Sequence, residues 1–282
     1  MLAASDFENL LNISLTEKID IIFLSAGLPL KKPTKIEHSL LESTNTKFIP
    51  KVSSSRAAKL IFTQWSEKYN RVPDAIVVEG PLSGGHQGFK KQDLNNPAIL
   101  LSSIINKTIH EIRHFEDLYS ISIPVIAAGG IYSGRDIYKI MSLGANAVKM
   151  GTRFVTTHEC DVSEEFKQNY ISCKKDDLTI IDSPVGLPAR VIRNEFIEQI
   201  QKGQQKPINC PWKCLKTCDH KKVQFCIAEA LFSAAKGDMN NGFSFAGTTS
   251  FQSKEILSVE ETFCQLKSEY YNTAMEFALN CA

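Results

Sequence analysis

Five short runs rich in apolar and β-branched residues, each closed by Gly, Pro or Ser, mark the first half of the chain, at 20–24, 47–52, 74–79, 124–128 and 147–150. Their hydrophobicity is continuous rather than alternating, which predicts strands covered on both faces in a parallel sheet. Stretches with helical spacing separate them. Residues 7–15 precede the first strand, and residues 55–69, with Ala57, Ala58, Leu60, Ile61 and Trp65 as apolar or small positions, join the second to the third. A longer helical stretch covers 96–115, and residues 133–143 open on Ser133 and close before Gly144, a start and a stop signal. The alternation through residue 155 predicts βα units around a parallel core. From about residue 160 no further strand of that kind is expected. Helical patterns at 162–172, 191–202, 224–236 and 258–279 predict a helical appendage. A Cys-rich link over 206–226 interrupts it, and a loop at 242–251, GFSFAGTTSF, is expected to return to the αβ part. The expected division is therefore 1–159 and 160–282.

Composition narrows the class. At 282 residues, 43% apolar and 22% charged, the chain holds enough apolar material for a barrel-sized core. Lys and Arg number 32 against 31 Asp and Glu, a net charge of +1, and no basic stripe offers the phosphate neutralisation that nucleic acid requires. No apolar run reaches the roughly eighteen residues of a membrane span, and the start, MLAASDFENLLN, lacks the basic end and apolar stretch of a signal peptide. A soluble, cytoplasmic protein acting on a small molecule is expected, with self-association left open. In that compartment the eight cysteines are expected as reduced thiols or metal ligands rather than a disulfide frame.

The densest chemistry lies in IPVIAAGGIYSGRDIYKIMSLGANAVKMGTRF, residues 123–154. One strand ends in Gly129 and Gly130 before a helix; the next ends in Met150, Gly151 and Thr152. Glycines at a strand end let backbone N–H groups approach an anion unobstructed, and a helix N-terminus adds partial positive charge. Two such loops side by side would grip one phosphate, and in a (β/α) barrel that site follows strands seven and eight. A lone Gly-Gly pair more often makes only a tight turn; the partner loop distinguishes this case. A second stretch, DAIVVEGPLSGGHQGF at 74–89, is a strand followed by a glycine-rich loop carrying His86. Imidazole titrates near neutrality, so a histidine at a strand's C-terminal end can take a proton from a carbon acid. Gly84, Gly85 and Gly88 would let the loop lie against a flat ligand. His38, His110, His114, His158 and His220 have no such frame and are expected at the surface or in structural roles.

Through FIPKVSS, VVEGPLSGGHQG, IPVIAAGGI and AVKMGTRF, the chain from about residue 6 to 159 resembles the nitronate monooxygenase (2-nitropropane dioxygenase) family and its relatives, the FMN-dependent enoyl-acyl-carrier-protein reductases. The resemblance implies a (β/α)8 TIM-type barrel holding FMN without a covalent bond. It implies His86 as the catalytic base, and Lys51, Gly85, Gly129, Gly130, Met150, Gly151 and Thr152 as cofactor-binding residues. The phosphate would rest on Gly129, Gly130, Gly151 and Thr152, with Lys51 near the pyrimidine end of the flavin. A positive charge there would stabilise an anionic reduced ring; the plain alternative is a solvated strand-end lysine. The implied reaction oxidises alkyl nitronates with oxygen to carbonyl compounds and nitrite. Leu82 stands where the family usually has Glu, and Glu79 suits the enoyl reductases better, so NAD(P)H-dependent reduction of an enoyl thioester stays open. Five of eight strands are countable, strands four to eight, with Met1 falling near the end of the third. An N-terminally incomplete barrel is expected on this count, or a flavin-free fragment serving as an interaction subunit.

The link contains CPWKCLKTCDHKKVQFC, placing Cys210, Cys214, Cys218 and Cys226 in a C-x3-C-x3-C-x7-C order. Four thiolates so closely spaced can bind zinc or an iron–sulfur cluster, although structural zinc sites usually have two residues within each pair. On a helix, steps of four would line three of these cysteines along one face as a buried seam. No metal ligand is assigned from the sequence.

Overall fold

The computed structural model describes residues 1–36, 38–204, 208, 210 and 213–280. Its first half runs α1 (Phe7–Thr16), β1 (Ile21–Leu24), α2 (His38–Ser43), β2 (Lys47–Val52), α3 (Ser55–Tyr69), β3 (Ile76–Glu79), β4 (Gly85–His86), α4 (Leu101–Tyr119) and β5 (Val125–Ala128). The rest runs α5 (Gly134–Met141), β6 (Ala147–Lys149), α6 (Thr152–Val155), α7 (Glu164–Ile171), β7 (Leu178–Asp182), β8 (Pro188–Ile192), α8 (Glu195–Gln201), α9 (Ile227–Ala235) and α10 (Val259–Asn280).

The five strands expected from the apolar runs all form and pair in parallel in the order β1-β2-β3-β5-β6. In the central strands this continuous hydrophobicity follows from burial on both sides, whereas edge strand β1 leaves Ile21 and Phe23 about half exposed. In β3, Ile76 and Val78 join the large core under α3 and α4, whereas Val77 turns to an inner cluster with Ile49, Ala75 and Ala128. Local signals set the helices between them. Ser54 Oγ accepts from the Ala57 N–H at 3.2 Å to start α3, which ends at Asn70 with φ +48°. Ser133 and Asp136 cap α5 reciprocally, each side chain accepting from the other's backbone N–H. The sheet curls until its edge strands face one another, with Lys149 Nζ of β6 lying 5.7 Å from the ring centroid of Phe23 on β1. The result is a TIM-barrel-type arc whose strand C-termini all point to one end.

The C-terminal half departs from the all-helical expectation. β7 and β8 form an antiparallel hairpin, and β8 also pairs with β4, setting Gly85 opposite Arg190 and His86 opposite Ala189. The helix expected over 191–202 begins instead as strand. Val191 and Ile192 belong to β8, and α8 starts only after Asn194, whose side chain accepts from the Ile197 N–H at 3.0 Å. The apolar spacing of Val191, Phe196, Ile197 and Ile200 fits a helix, but the asparagine cap decides where it begins. These four residues, with Phe225 and Phe243, build a second core. α10 closes the other side against α5, where Glu269 Oε2 accepts from the Gly134 N–H at 2.6 Å. Of the Cys-rich link, residues 206, 207, 209, 211 and 212 lie outside the described residues. The rest of it carries no helix, so the expected helical seam of cysteines does not form. Among the described residues no helix is long and apolar enough to cross a membrane.

Candidate active site

Two adjoining cavities open at the C-terminal ends of the parallel strands and share Glu79, Gly84 and Phe245. One, of about 280 Å³, is lined by Gly129, Gly130, Met150, Gly151 and Thr152. The other, of about 470 Å³, is lined by Lys51, Gly85 and His86. The base and the cofactor-binding residues expected from the sequence thus border one paired space of ligand size. A larger hollow of about 760 Å³ lies on the outer surface between α3 and α4, around Lys59, His110 and Glu111, and contains none of them.

The smaller cavity owes its shape to absent side chains. Gly129 and Gly130 adopt φ +95° and +78°, a left-handed backbone that favours glycine. A Cβ on Gly129 would stand 2.9 Å from the Gly80 carbonyl oxygen, and one on Gly130 would stand 2.8 Å from Leu82 Cβ. Gly151 is different: a Cβ there would meet no atom within 4 Å. Its bareness is therefore not required by protein packing, and it borders the open space of the cavity.

In the larger cavity Lys51, at the end of β2, donates to both carboxylate oxygens of Glu79 on β3, at 2.9 and 2.8 Å. Lys51 is thus not a solvated strand-end lysine, and its charge is offset by a nearly buried carboxylate. His86 packs edge-on against Phe245, ring centroids 5.0 Å apart, and its Nε2 lies 2.7 Å from Ser183 Oγ. Burial, and then the positive charge of Lys51, hold its pKa below the ordinary histidine value, so the neutral ring is favoured at physiological pH.

Several framing residues were not singled out from the sequence. Ser183 follows β7, 97 positions from the histidine it touches. Arg190 on β8 is 4% exposed and donates through Nη1 to the carbonyls of Pro81 at 2.8 Å and Ser83 at 2.6 Å, gripping the glycine-rich loop from behind. Buried Gln87 ties the same loop to itself, donating to Ser83 O at 2.7 Å and Gly85 O at 3.1 Å. The loop at 242–251 returns as expected, and Phe245, Ala246, Gly247 and Thr249 line the smaller cavity. It is pressed against Gly84, whose Cβ would stand 2.6 Å from the Ala246 carbonyl carbon. Tyr170 of α7, its phenol pushed well up by burial, donates to the Phe245 carbonyl and completes the wall. Only the glycines in GFSFAGTTSF hinted at these close approaches.

Residues 1–269 match the family model for nitronate monooxygenase. A probable nitronate monooxygenase of Staphylococcus saprophyticus is 26% identical over 204 residues, covering 72% of this chain and 52% of that protein. One from Staphylococcus aureus (strain Newman) is 37% identical over 130 residues, 46% of this chain and 34% of that protein. The chain therefore spans about half the length, or less, of these relatives. Among solved structures, FabK from Thermotoga maritima superposes with a TM-score of 0.74 at 27% identity, covering 98% of this chain and 76% of that one. A nitroalkane oxidase from Streptomyces ansochromogenes gives a TM-score of 0.70 at 19% identity over 96% of this chain and 70% of that one, which speaks to the fold alone. With nearly the whole chain matched, the protein belongs to the nitronate monooxygenase family.

Proposed function

We propose that the chain is an FMN-dependent oxidoreductase that converts alkyl nitronates and oxygen to carbonyl compounds and nitrite. The observation that carries this reading is the conjunction, in one paired cavity, of two glycine-lined strand ends with a neutral histidine. The residues fit FMN on a specific ground: Gly151 faces open cavity that a Cβ would enter without touching protein. The backbone of Gly129, Gly130 and Gly151, with Thr152 and Met150, would hold the phosphate end, and Gly85 and Lys51 the ring end. FMN, when bound, supplies the electron acceptor. Glu79 tempers the charge Lys51 presents to it.

His86 is the base for neutral nitroalkanes, taking the proton from the carbon beside the nitro group. With Nε2–H donated to Ser183 Oγ, the lone pair stands on Nδ1 and the ring can accept that proton. Leu82 offers no carboxylate to orient the imidazole, and the Ser183 hydroxyl takes that part. The test compares His86→Ala with the parent, both with FMN retained, on nitroethane and on its preformed nitronate. Oxidation of the neutral compound is expected to fall by about 100-fold or more, and that of the nitronate by far less. Equal loss on both substrates, or none on either, overturns the assignment. Glu79 favours a second reading, NAD(P)H-dependent reduction of an enoyl thioester. Rapid anaerobic bleaching of the flavin by NADPH, with none by nitronates, would establish that one instead.

A further inference from the structure

The four cysteines of the link have no part in this chemistry, yet they meet at one place. Cys210, Cys214, Cys218 and Cys226 line a single enclosed cavity of about 20 Å³, with His220 at its side. That volume suits one atom-sized occupant. No helical periodicity brings the sulfurs there, because the described residues between α8 and α9 form no helix or strand. All four are free thiols, three half-buried and Cys214 exposed. Cys210, Cys214 and Cys226 all stand near enough to Cys218 to act on it electrostatically, as neighbours bordering one small space do.

We propose that Cys210, Cys214, Cys218 and Cys226 ligate a metal centre through four thiolates, a structural zinc ion in a tetrahedral site. Four soft ligands with no open position select zinc or an iron–sulfur cluster, and a cavity of this size favours the single ion. Among the described residues no group of three or more His, Cys, Asp or Glu side chains already stands at coordinating geometry. The sulfurs must therefore draw inward as the ion enters, and the described part of the link, which lies outside helices and strands and is held by one antiparallel bridge between Leu215 and Ala4, permits it. Lys222 pairs with Asp219 at 3.1 Å, and Lys213, which borders the cavity, with Lys216 and Lys221 in the same stretch would offset the negative charge of a four-thiolate zinc. Such an ion would clamp two distant parts of the chain. The link's backbone pairs with the first residues, the Ser5 N–H donating to Cys214 O at 3.1 Å and the Lys216 N–H to Ala3 O at 3.0 Å. At its other end Cys226 leads directly into α9, and α9 into the 242–251 loop over the active site.

The proposal is independent of the flavin reading and is tested on the full chain, purified anaerobically without added metal and with any affinity tag removed. Elemental analysis and acid-labile sulfide are measured together. About one zinc per chain, retained through dialysis against EDTA, is the expected result. Cys218→Ser and Cys226→Ser should each lower it to below about a tenth, while Cys264→Ser leaves it unchanged. Should these variants fail to fold, cobalt exchanged into the parent protein serves instead, its thiolate charge-transfer absorption reporting the ligands directly. Iron with equimolar sulfide would keep the four-thiolate ligand set but overturn the single ion. A folded, fully reduced protein with neither metal, or metal unaffected by Cys218→Ser, overturns the site.

Discussion

Breaking the Lys51–Glu79 pair tests how the cavity floor is built. The ammonium lies 2.8 Å from the nearer carboxylate oxygen, with side chains 24% and 10% exposed. Taking the charge centres as about 4 Å apart and an effective dielectric of about 20, the attraction is about 4 kcal/mol. Desolvation offsets part of this, leaving a net coupling of about 2–3 kcal/mol. Lys51→Met strands a carboxylate that is 8% exposed and is expected to cost about 3 kcal/mol, lowering Tm by roughly 6–12 °C. Glu79→Gln costs less, about 1–2 kcal/mol, because Lys51 keeps some water and an amide oxygen still accepts from it. If the pair is coupled, the double variant loses about 2 kcal/mol rather than the roughly 4–5 that independent effects would give. Denaturant unfolding of the four proteins closes the cycle. A coupling below about 1 kcal/mol, the range of solvent-exposed pairs, would refute the view that this pair is shielded from solvent.

The remaining predictions probe the histidine, the phosphate end and the returning loop. For neutral nitroalkanes, kcat/KM should hold steady near neutrality and fall only as pH drops below about 6.5, since the folded protein keeps His86 neutral; preformed nitronates should show no such limb. Lys51→Met, by removing a positive neighbour, should move that limb to higher pH, and an unmoved limb would exclude His86 as its source. The same shift bears on stability: near pH 6 the unfolded chain binds the His86 proton more readily, so this contribution is lost as pH falls. Gly151→Ala should leave Tm within about 1 °C of the parent and yet lower the flavin content of purified protein, whereas Gly130→Ala should lower both, by about 1–3 kcal/mol in stability. Gly84→Ala should dislodge the 242–251 loop, read as faster proteolytic cleavage within it, because the added carbon meets backbone that cannot swing aside.

The central parallel strands were legible because they are buried on both faces, so hydrophobicity alone reported them, as in Ile76, Val77 and Val78; the edge strand β1 is equally apolar although Ile21 and Phe23 are about half exposed. The strand-end glycines and His86 were legible because glycines crowded at the end of a buried strand serve close approach of backbone or ligand rather than packing. The hairpin was not. β7 and β8 are five residues each, and the apolar positions of β8 run on into α8 at a spacing that suits a helix. Partners set by pairing between distant segments left no trace in any one window. Lys51 and Glu79 are 28 residues apart, Ser183 is 97 from His86, and Arg190 is 109 from Pro81.

That unread hairpin fixes the direction in which His86 points. A strand of two residues, Gly85 and His86, has almost no register of its own, and a slip by one would turn the imidazole to the opposite face. Arg190, the partner of Gly85 across the ladder, prevents the slip by holding Pro81 and Ser83 with the same guanidinium nitrogen. Burial lowers its pKa to about 10, so it stays protonated at neutral pH, and among the described residues it forms no ion pair. A buried charge compensated by carbonyls alone is an expensive way to stabilise a loop, and an apolar side chain of like volume would fill the space at less cost. It is a good way to fix orientation, because the donors must meet two carbonyls at once. The hairpin thus sets the geometry of the base, while the barrel arc supplies the rest of the cavity.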